Sequence, residues 1–130
     1  MNRILIKYFV SISSIRFEIN IFPFEDKYKA LIRTHKEEKE LFVTKENFNK
    51  IYNRLLEVDF NKIMLSSDYV AMCDGDTLII KFGDSENNIV LTIGCIDYDT
   101  ENRSLKELYD IIISIIKLLK IDSKDFYFLN

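Results

Sequence analysis

The chain has 130 residues, of which 48% are hydrophobic and 13% aromatic, and its formal net charge is −3 at pH 7. This composition can fill a sizeable core and excludes a disordered chain. Only three glycines and one proline, Pro23, are present, so no Gly- or Pro-rich linker divides the sequence. We therefore predict one domain over residues 1–130.

Apolar and polar residues alternate along the first third of the chain. A first run follows Ile4, Ile6, Tyr8, Val10 and Ile12, and further alternations cover Ile15–Ile21, Tyr28–Thr34 and Leu41–Val43. Period-two alternation is typical of half-buried antiparallel strands. We interpret the charged run between the last two, His35–Glu40, as a solvated turn.

The period changes to that of a helix at Thr44. Phe48, Ile51, Tyr52 and Leu55 recur at helical spacing behind this good N-cap residue, which predicts a helix over Lys45–Val58. Residues 59–72 are less regular, and Ile63–Leu65 is predicted to form a short strand or turn.

A second helix begins at a predicted capping box of Ser104 and Glu107, and Lys117 and Lys120 suit its C-terminal end. Its apolar stripe is wider than one helix face, as its members show: Leu105, Leu108, Ile111, Ile112, Ile115, Ile116, Leu118 and Leu119. Either the sheet and the first helix bury this helix together, or it forms a dimer or partner surface.

The order of these elements predicts an α+β fold. We expect an antiparallel β-sheet, made of an N-terminal meander plus a central hairpin, with two helices packed on one face. The aromatic tail, Asp125–Asn130, is expected to pack back onto this domain.

The segment Met72–Asn102 is predicted to form the central hairpin of the sheet, and acids lie at its two open ends. If Ile80 faces Ile93, then Asp76 faces Asp97 and Asp74 faces Asp99, with Ser85–Asn88 as the turn. If Asn87-Asn88 instead forms a type I′ turn, Asp76 faces Asp99 and Asp74 faces Glu101. Both registers oppose like charges, which destabilises a strand pair, so the acids could instead splay into solvent as loop residues.

Negative charge is concentrated in this region. Residues 63–101 hold eight acids and the single base Lys81, a net charge of −7, so the remainder of the chain carries +4. An acidic face attracts basic protein surfaces and repels nucleic acid. We predict a partner-binding face formed by Asp74, Asp76, Asp84, Glu86, Asp97, Asp99 and Glu101.

We find no catalytic motif in the sequence and expect no cofactor, no metal centre and no enzyme activity. His35 is the only histidine, so any Ser-His-Asp or Cys-His arrangement would depend on this one residue of a charged run. Cys73 and Cys95 lack the paired spacing of a zinc site and read as free thiols in a reducing cytoplasm. The apolar run after Arg3 is interrupted by Lys7 and lacks a signal cleavage site, so we expect a cytoplasmic protein with no membrane association.

The small size, the missing catalytic groups and the acids in CDGD, DSE and DYDTE together resemble the immunity proteins of bacterial contact-dependent and polymorphic toxin systems. The resemblance is one of type and covers no aligned stretch. It implies a non-catalytic inhibitor that blocks a basic, nuclease-type toxin domain.

Two alternative functions stay open. The chain could be a structural or oligomerisation domain, a homodimer built on its apolar C-terminal helix. It could also be a small-ligand or divalent-cation binder that uses the hairpin carboxylates, since hard oxygen ligands suit Ca²⁺ or Mg²⁺.

Overall fold

A computed structural model describes residues 2–11, 14–34, 37–65, 77–94 and 100–121 of the chain. Within these residues there are six strands and three helices, numbered here in chain order. Their bounds are β1 Arg3–Ser11, β2 Ser14–Phe24, β3 Lys27–Thr34, β4 Glu38–Val43, α1 Lys45–Glu57, α2 Phe60–Leu65, β5 Thr77–Gly83, β6 Asn88–Gly94 and α3 Arg103–Leu118. Of the predicted features, Ile12, His35, Cys73, Cys95 and the tail Asp125–Asn130 lie outside the described residues.

The six strands form one antiparallel sheet in the spatial order β4-β3-β2-β1-β5-β6. The predicted meander is therefore confirmed as β1–β4 and the predicted hairpin as β5–β6. Strand β1 joins the two parts, since it pairs with β2 on one side and with β5 on the other. The α+β fold with an antiparallel sheet is what the alternation predicted.

The two faces of the sheet differ in burial, because successive side chains of a strand point to opposite faces. On the inner face, most strand residues are buried and join the helices in one apolar cluster: Ile4, Ile6, Tyr8, Phe17, Ile19, Ile21, Ala30, Ile32, Val43, Leu78, Ile80, Phe82, Leu91 and Ile93. On the outer face, every described side chain is half-buried or exposed. The helices thus pack on one face, as predicted.

Helix α1 begins where the sequence predicts. The Thr44 hydroxyl accepts a hydrogen bond from the Asn47 amide at 3.2 Å, which satisfies one of the free amides of the first turn. Phe48 stacks on Tyr28 of β3, with ring centroids 3.6 Å apart and an interplanar angle of 8°. This aromatic contact fixes the helix against the inner face.

Three local predictions are corrected by the structure. Ile63–Leu65 belongs to the short helix α2, where a strand or turn was predicted, and Asp59 accepts the Lys62 amide at its start. The N-cap of α3 is Asn102 rather than Ser104, since the Asn102 carboxamide accepts the Leu105 amide at 3.1 Å. Strand β4 begins at Glu38, inside the charged run that was interpreted as a turn.

The wide apolar stripe of α3 is buried within the chain. The buried positions are Leu105, Leu108, Tyr109, Ile111, Ile112, Ile115, Ile116 and, just past the last turn, Leu119. Helix α3 contacts both α1 and α2, and its buried residues belong to the same cluster as the inner face of the sheet. The interpretation as a helix buried by sheet and helices together is therefore confirmed. No helix within the described residues is long and apolar enough to cross a membrane.

We expect Ile112→Ala to lower the free energy of unfolding by about 2–5 kcal/mol, because Ile112 is fully buried and the change leaves a cavity. Leu56→Ala on α1 is the control, since Leu56 is 57% exposed and its loss should change stability by less than about 0.5 kcal/mol. Urea unfolding followed by circular dichroism measures both. Equal effects of the two substitutions would contradict the burial of α3.

Candidate functional site

The predicted acidic face divides into described and undescribed residues. Asp74, Asp76, Asp97 and Asp99 lie outside the described residues, so their facing pairs stay predictions. The residues next to them are described: Thr77 begins β5, Gly94 ends β6, and the two are paired. The chain segments that carry the four acids are therefore attached to the sheet at one paired step, the open end of the hairpin.

Both predicted hairpin registers are wrong. Ile80 faces Leu91 rather than Ile93, and Gly83 faces Asn88, so the loop between the strands is residues 84–87. A shift by two residues keeps every side chain on its own face, and the apolar pattern is therefore the same in all three registers.

The turn chemistry that fixes the register lies in Gly83 and Asp84. Gly83 has a φ of 137°, and a Cβ atom there would overlap the Asn87 carbonyl oxygen. One Asp84 carboxylate oxygen accepts the amides of Glu86 at 2.9 Å and Asn87 at 2.6 Å, while the Asp84 amide donates to the Asn87 carbonyl at 3.0 Å. These bonds centre the loop two residues earlier than an Asn87-Asn88 turn would.

Asp84 and Glu86 therefore lie at the closed end of the hairpin, opposite to the end at which Thr77 and Gly94 are paired. Six steps of a strand separate Thr77 from Gly83, which corresponds to roughly 20 Å. The amides of Asn87 and Glu86 hold the pKa of the Asp84 carboxyl below its ordinary value of 3.8, because they stabilise the ionised form. The loop that carries Asp84 and Glu86 is thus separated by the length of β5 from the paired step of Thr77 and Gly94.

Glu101 belongs with the open end in sequence and is described. Its side chain is exposed, and it directly precedes Asn102, the N-cap of α3. The Asn102 carboxamide nitrogen also donates to the Lys62 carbonyl at 3.5 Å, which ties this N-terminus to α2. Glu101 is thereby held at the surface beside the α2–α3 contact.

The outer sheet face carries a different charge from the acidic segments. Its described ionisable residues are six bases, Arg3, Lys7, Lys27, Lys29, Arg33 and Lys81, and three acids, Glu18, Glu38 and Glu40, a net charge of +3. Lys29 pairs with Glu40 at 3.1 Å and Arg33 with Glu38 at 3.0 Å. The described outer face is therefore basic, whereas the connections that flank the hairpin are acidic in sequence.

Sequence reasoning missed an aromatic cluster on this outer face. Phe24 and Phe42 lie 5.9 Å apart between ring centroids, and Phe42 is 58% exposed. The Lys27 ammonium lies 4.3 Å from the centroid of Phe42, and the Lys29 ammonium lies 4.9 Å from that of Phe24. The sequence does contain a signal for this cluster, namely Pro23 between two phenylalanines at the end of β2 and the alternating lysines of β3.

Two shallow grooves lie along the same face. One has a volume of about 520 Å³ and is lined mainly by residues of β2, β3 and β4, including both members of the Arg33–Glu38 pair. The other has a volume of about 590 Å³ and places Arg3 and Lys81 near the Asp84 loop. Both grooves are partly open to solvent and are lined by charged and apolar residues together.

The described residues form no cluster of metal-ligating side chains. No group of three or more His, Cys, Asp or Glu side chains within residues 2–11, 14–34, 37–65, 77–94 and 100–121 could hold a metal ion. No protein family model matches the sequence, and no curated protein is significantly similar to it.

We expect Asp84→Ala to lower the melting temperature and Asp84→Asn to lower it less, because the asparagine side chain keeps an oxygen that can accept the two amides. The wild-type advantage over Asp84→Asn comes from a carboxylate whose folded-state pKa is lowered. It should be present above pH 3.8 and be lost as the pH falls through the lowered folded pKa. Thermal melts of the three proteins between pH 7 and pH 2 measure this. A difference that grows in acid would contradict the role given to the carboxylate.

Proposed function

We propose that this protein is a non-catalytic, protein-binding inhibitor of the immunity type, which neutralises a basic bacterial toxin domain through acids at the open end of the β5–β6 hairpin. The partner is a protein surface rich in lysine and arginine. The protein acts by occupying that surface, without a cofactor, and in the cytoplasm where such a toxin would act.

The pairing of Thr77 with Gly94 is the observation that carries this proposal. Residues 66–76 lead into Thr77 and residues 95–99 lead out of Gly94, and together they contain five acids and no base. Both segments join the sheet at this one paired step, which supports a common acidic face. Concentrated charge of one sign steers a partner of the opposite sign and raises its association rate.

The basic outer face also supports binding of a basic partner at the acidic end. Its net charge of +3 repels a basic partner, whereas the acidic end attracts it. A basic protein that approaches this molecule is thereby directed towards the open end of the hairpin. An oriented approach of this kind favours fast binding at one site over weak binding everywhere.

Oligomerisation through α3 is the weaker alternative. Most apolar residues of α3 pack against the sheet and the other helices, which leaves only the half-buried Ile113 and Leu118 for contact with a second copy. A divalent-cation site at the hairpin acids is the other alternative, and calorimetric titration with Ca²⁺, Mg²⁺ and Mn²⁺ tests it directly.

The test is a pair of charge reversals, Asp76→Lys with Asp97→Lys. The partner is to be sought first in the C-terminal domain of the protein encoded immediately upstream. We expect the double variant to bind that domain about tenfold more slowly or worse at low salt, with a smaller change in dissociation, since the lost attraction acts mainly on the encounter. Surface plasmon resonance at several salt concentrations measures both rates.

The matched control is Glu57→Lys with Glu107→Lys, which changes the net charge equally but on exposed positions of α1 and α3. We expect this control to bind nearly as fast as wild type. If both double variants bound equally slowly, the slower association would be due to net charge alone and not to the position of the acids. Association that is insensitive to salt and to both pairs would reject the acidic end as the binding site.

A further inference from the structure

The two edges of the sheet are formed by β4 and β6, each of which has one neighbouring strand within the described residues. An edge strand presents backbone N–H and C=O groups that can pair with another extended chain. Natural sheets usually discourage this with charges, proline or bulges on the edge. The two edges here differ in that protection.

The β4 edge is protected by charge. It begins with Glu38, Lys39 and Glu40, and two of these acids form ion pairs with bases of the neighbouring strand β3. The Lys39 ammonium also donates to the Lys120 carbonyl at 3.2 Å, just past α3. A strand that added to this edge would have to pack beside these charged groups.

The β6 edge has no such protection. Its seven residues, Asn88–Gly94, include no charge and no proline, and four of them are β-branched. Val90 is 56% exposed and Ile89 is 41% exposed, although both are large apolar residues. Length, neutrality and β-branched content are the features that favour strand addition.

The charges around β6 restrict what could add to it. The Asp84 and Glu86 loop precedes the strand, and Asp97, Asp99 and Glu101 follow it within seven residues of Gly94 in sequence. In the middle of the strand, Val90 faces Lys81 of β5 on the outer face. A complementary strand is therefore cationic at both ends and uncharged in the middle.

A second copy of this chain fits this pattern poorly. Identical strands that pair antiparallel place the start of one opposite the end of the other. The exposed Glu86 of one copy would then approach the acidic sequence that follows Gly94 in the other. Like charges at both ends of the pairing would oppose the dimer.

We propose that the β6 edge binds an extended segment of a partner protein as a seventh strand, and that this segment has an uncharged, apolar middle with lysine or arginine at both ends. Main-chain hydrogen bonds supply the affinity, and the flanking acids select the cationic ends. Alternate residues of the segment extend the inner-face row of Ile89, Leu91 and Ile93. The inference rests on the proposed function, because it specifies how a basic partner is held.

The test uses the full chain and two synthetic peptides. Each peptide has seven alternating threonines and valines, to match the seven residues of β6, with two lysines at both ends of one and two glutamates at both ends of the other. Amide hydrogen exchange is followed at Asn88–Gly94, with the β4 amides as an internal reference. We expect saturating lysine peptide to slow exchange in β6 by about tenfold or more and to leave β4 unchanged.

The same peptides report on the charge pattern. At low salt the lysine peptide should bind about tenfold more tightly than the glutamate peptide, and salt should remove this difference. Val90→Lys should weaken lysine-peptide binding by about tenfold, since it sets a second cation beside Lys81 at the middle of the edge. Phe42→Lys is the matched control, because Phe42 is 58% exposed on the other edge strand, and it should have no effect.

The outcomes separate this inference from the function it extends. The strand-addition proposal would be overturned if the lysine peptide did not slow amide exchange in β6, or if it slowed exchange in β4 equally. Equal binding of the two peptides would also overturn it. Protection of β6 that rises with protein concentration in the absence of peptide would replace the partner strand with a second copy. If β6 is unprotected while Asp76→Lys with Asp97→Lys still slows association with the basic partner, the inhibitor function stands and strand addition fails.

Discussion

The antiparallel pairing of β1 with β5 is the constraint on which the rest of the structure depends. Ile4, Ile6 and Tyr8 are fully buried, and each is paired with a buried residue of β2 on one side and of β5 on the other. A slip of one residue at β1 would turn this row to solvent on both sides at once. The same pairing fixes the hairpin to the meander, and so determines which edge, β6, becomes exposed and where the acidic connections leave the sheet.

Much of this fold could be predicted because the local signals agree with the tertiary structure. Period-two alternation predicted β1–β4, and Thr44 predicted the start of α1. Both signals are local, because the apolar period of a segment reflects which of its own side chains are buried. The choice of Asn102 over Ser104 as the α3 N-cap could not be made locally. Both residue types cap helices well, and the hydrogen bond from Asn102 to Lys62, forty positions away, favours the earlier start.

The candidate site was less predictable for a physical reason. The apolar pattern determines the face on which a residue lies, but it does not distinguish registers that differ by two residues. Ile80 could therefore face Leu91, Ile93 or a later residue with equal burial. The register is determined by the loop, through the positive φ of Gly83 and the hydrogen bonds that backbone amides donate to the Asp84 carboxylate. The predicted face includes Asp84 and Glu86 because charge counted along the sequence does not distinguish the closed end of a hairpin from its open end.

The acidic connections and the neutral β6 edge would contribute to binding at different stages. Charge acts over about 10 Å at moderate salt, so it influences how often and in which orientation a basic partner arrives. Strand pairing acts only at contact, where each new main-chain bond must be broken before the partner can leave. On the proposed function, the hairpin would combine the two, because the acidic segments join the sheet at Thr77 and Gly94, in the same strand pair that ends in the exposed edge. A variant that changes the association rate should therefore map to the charged connections, and one that changes the dissociation rate should map to Val90 and its neighbours.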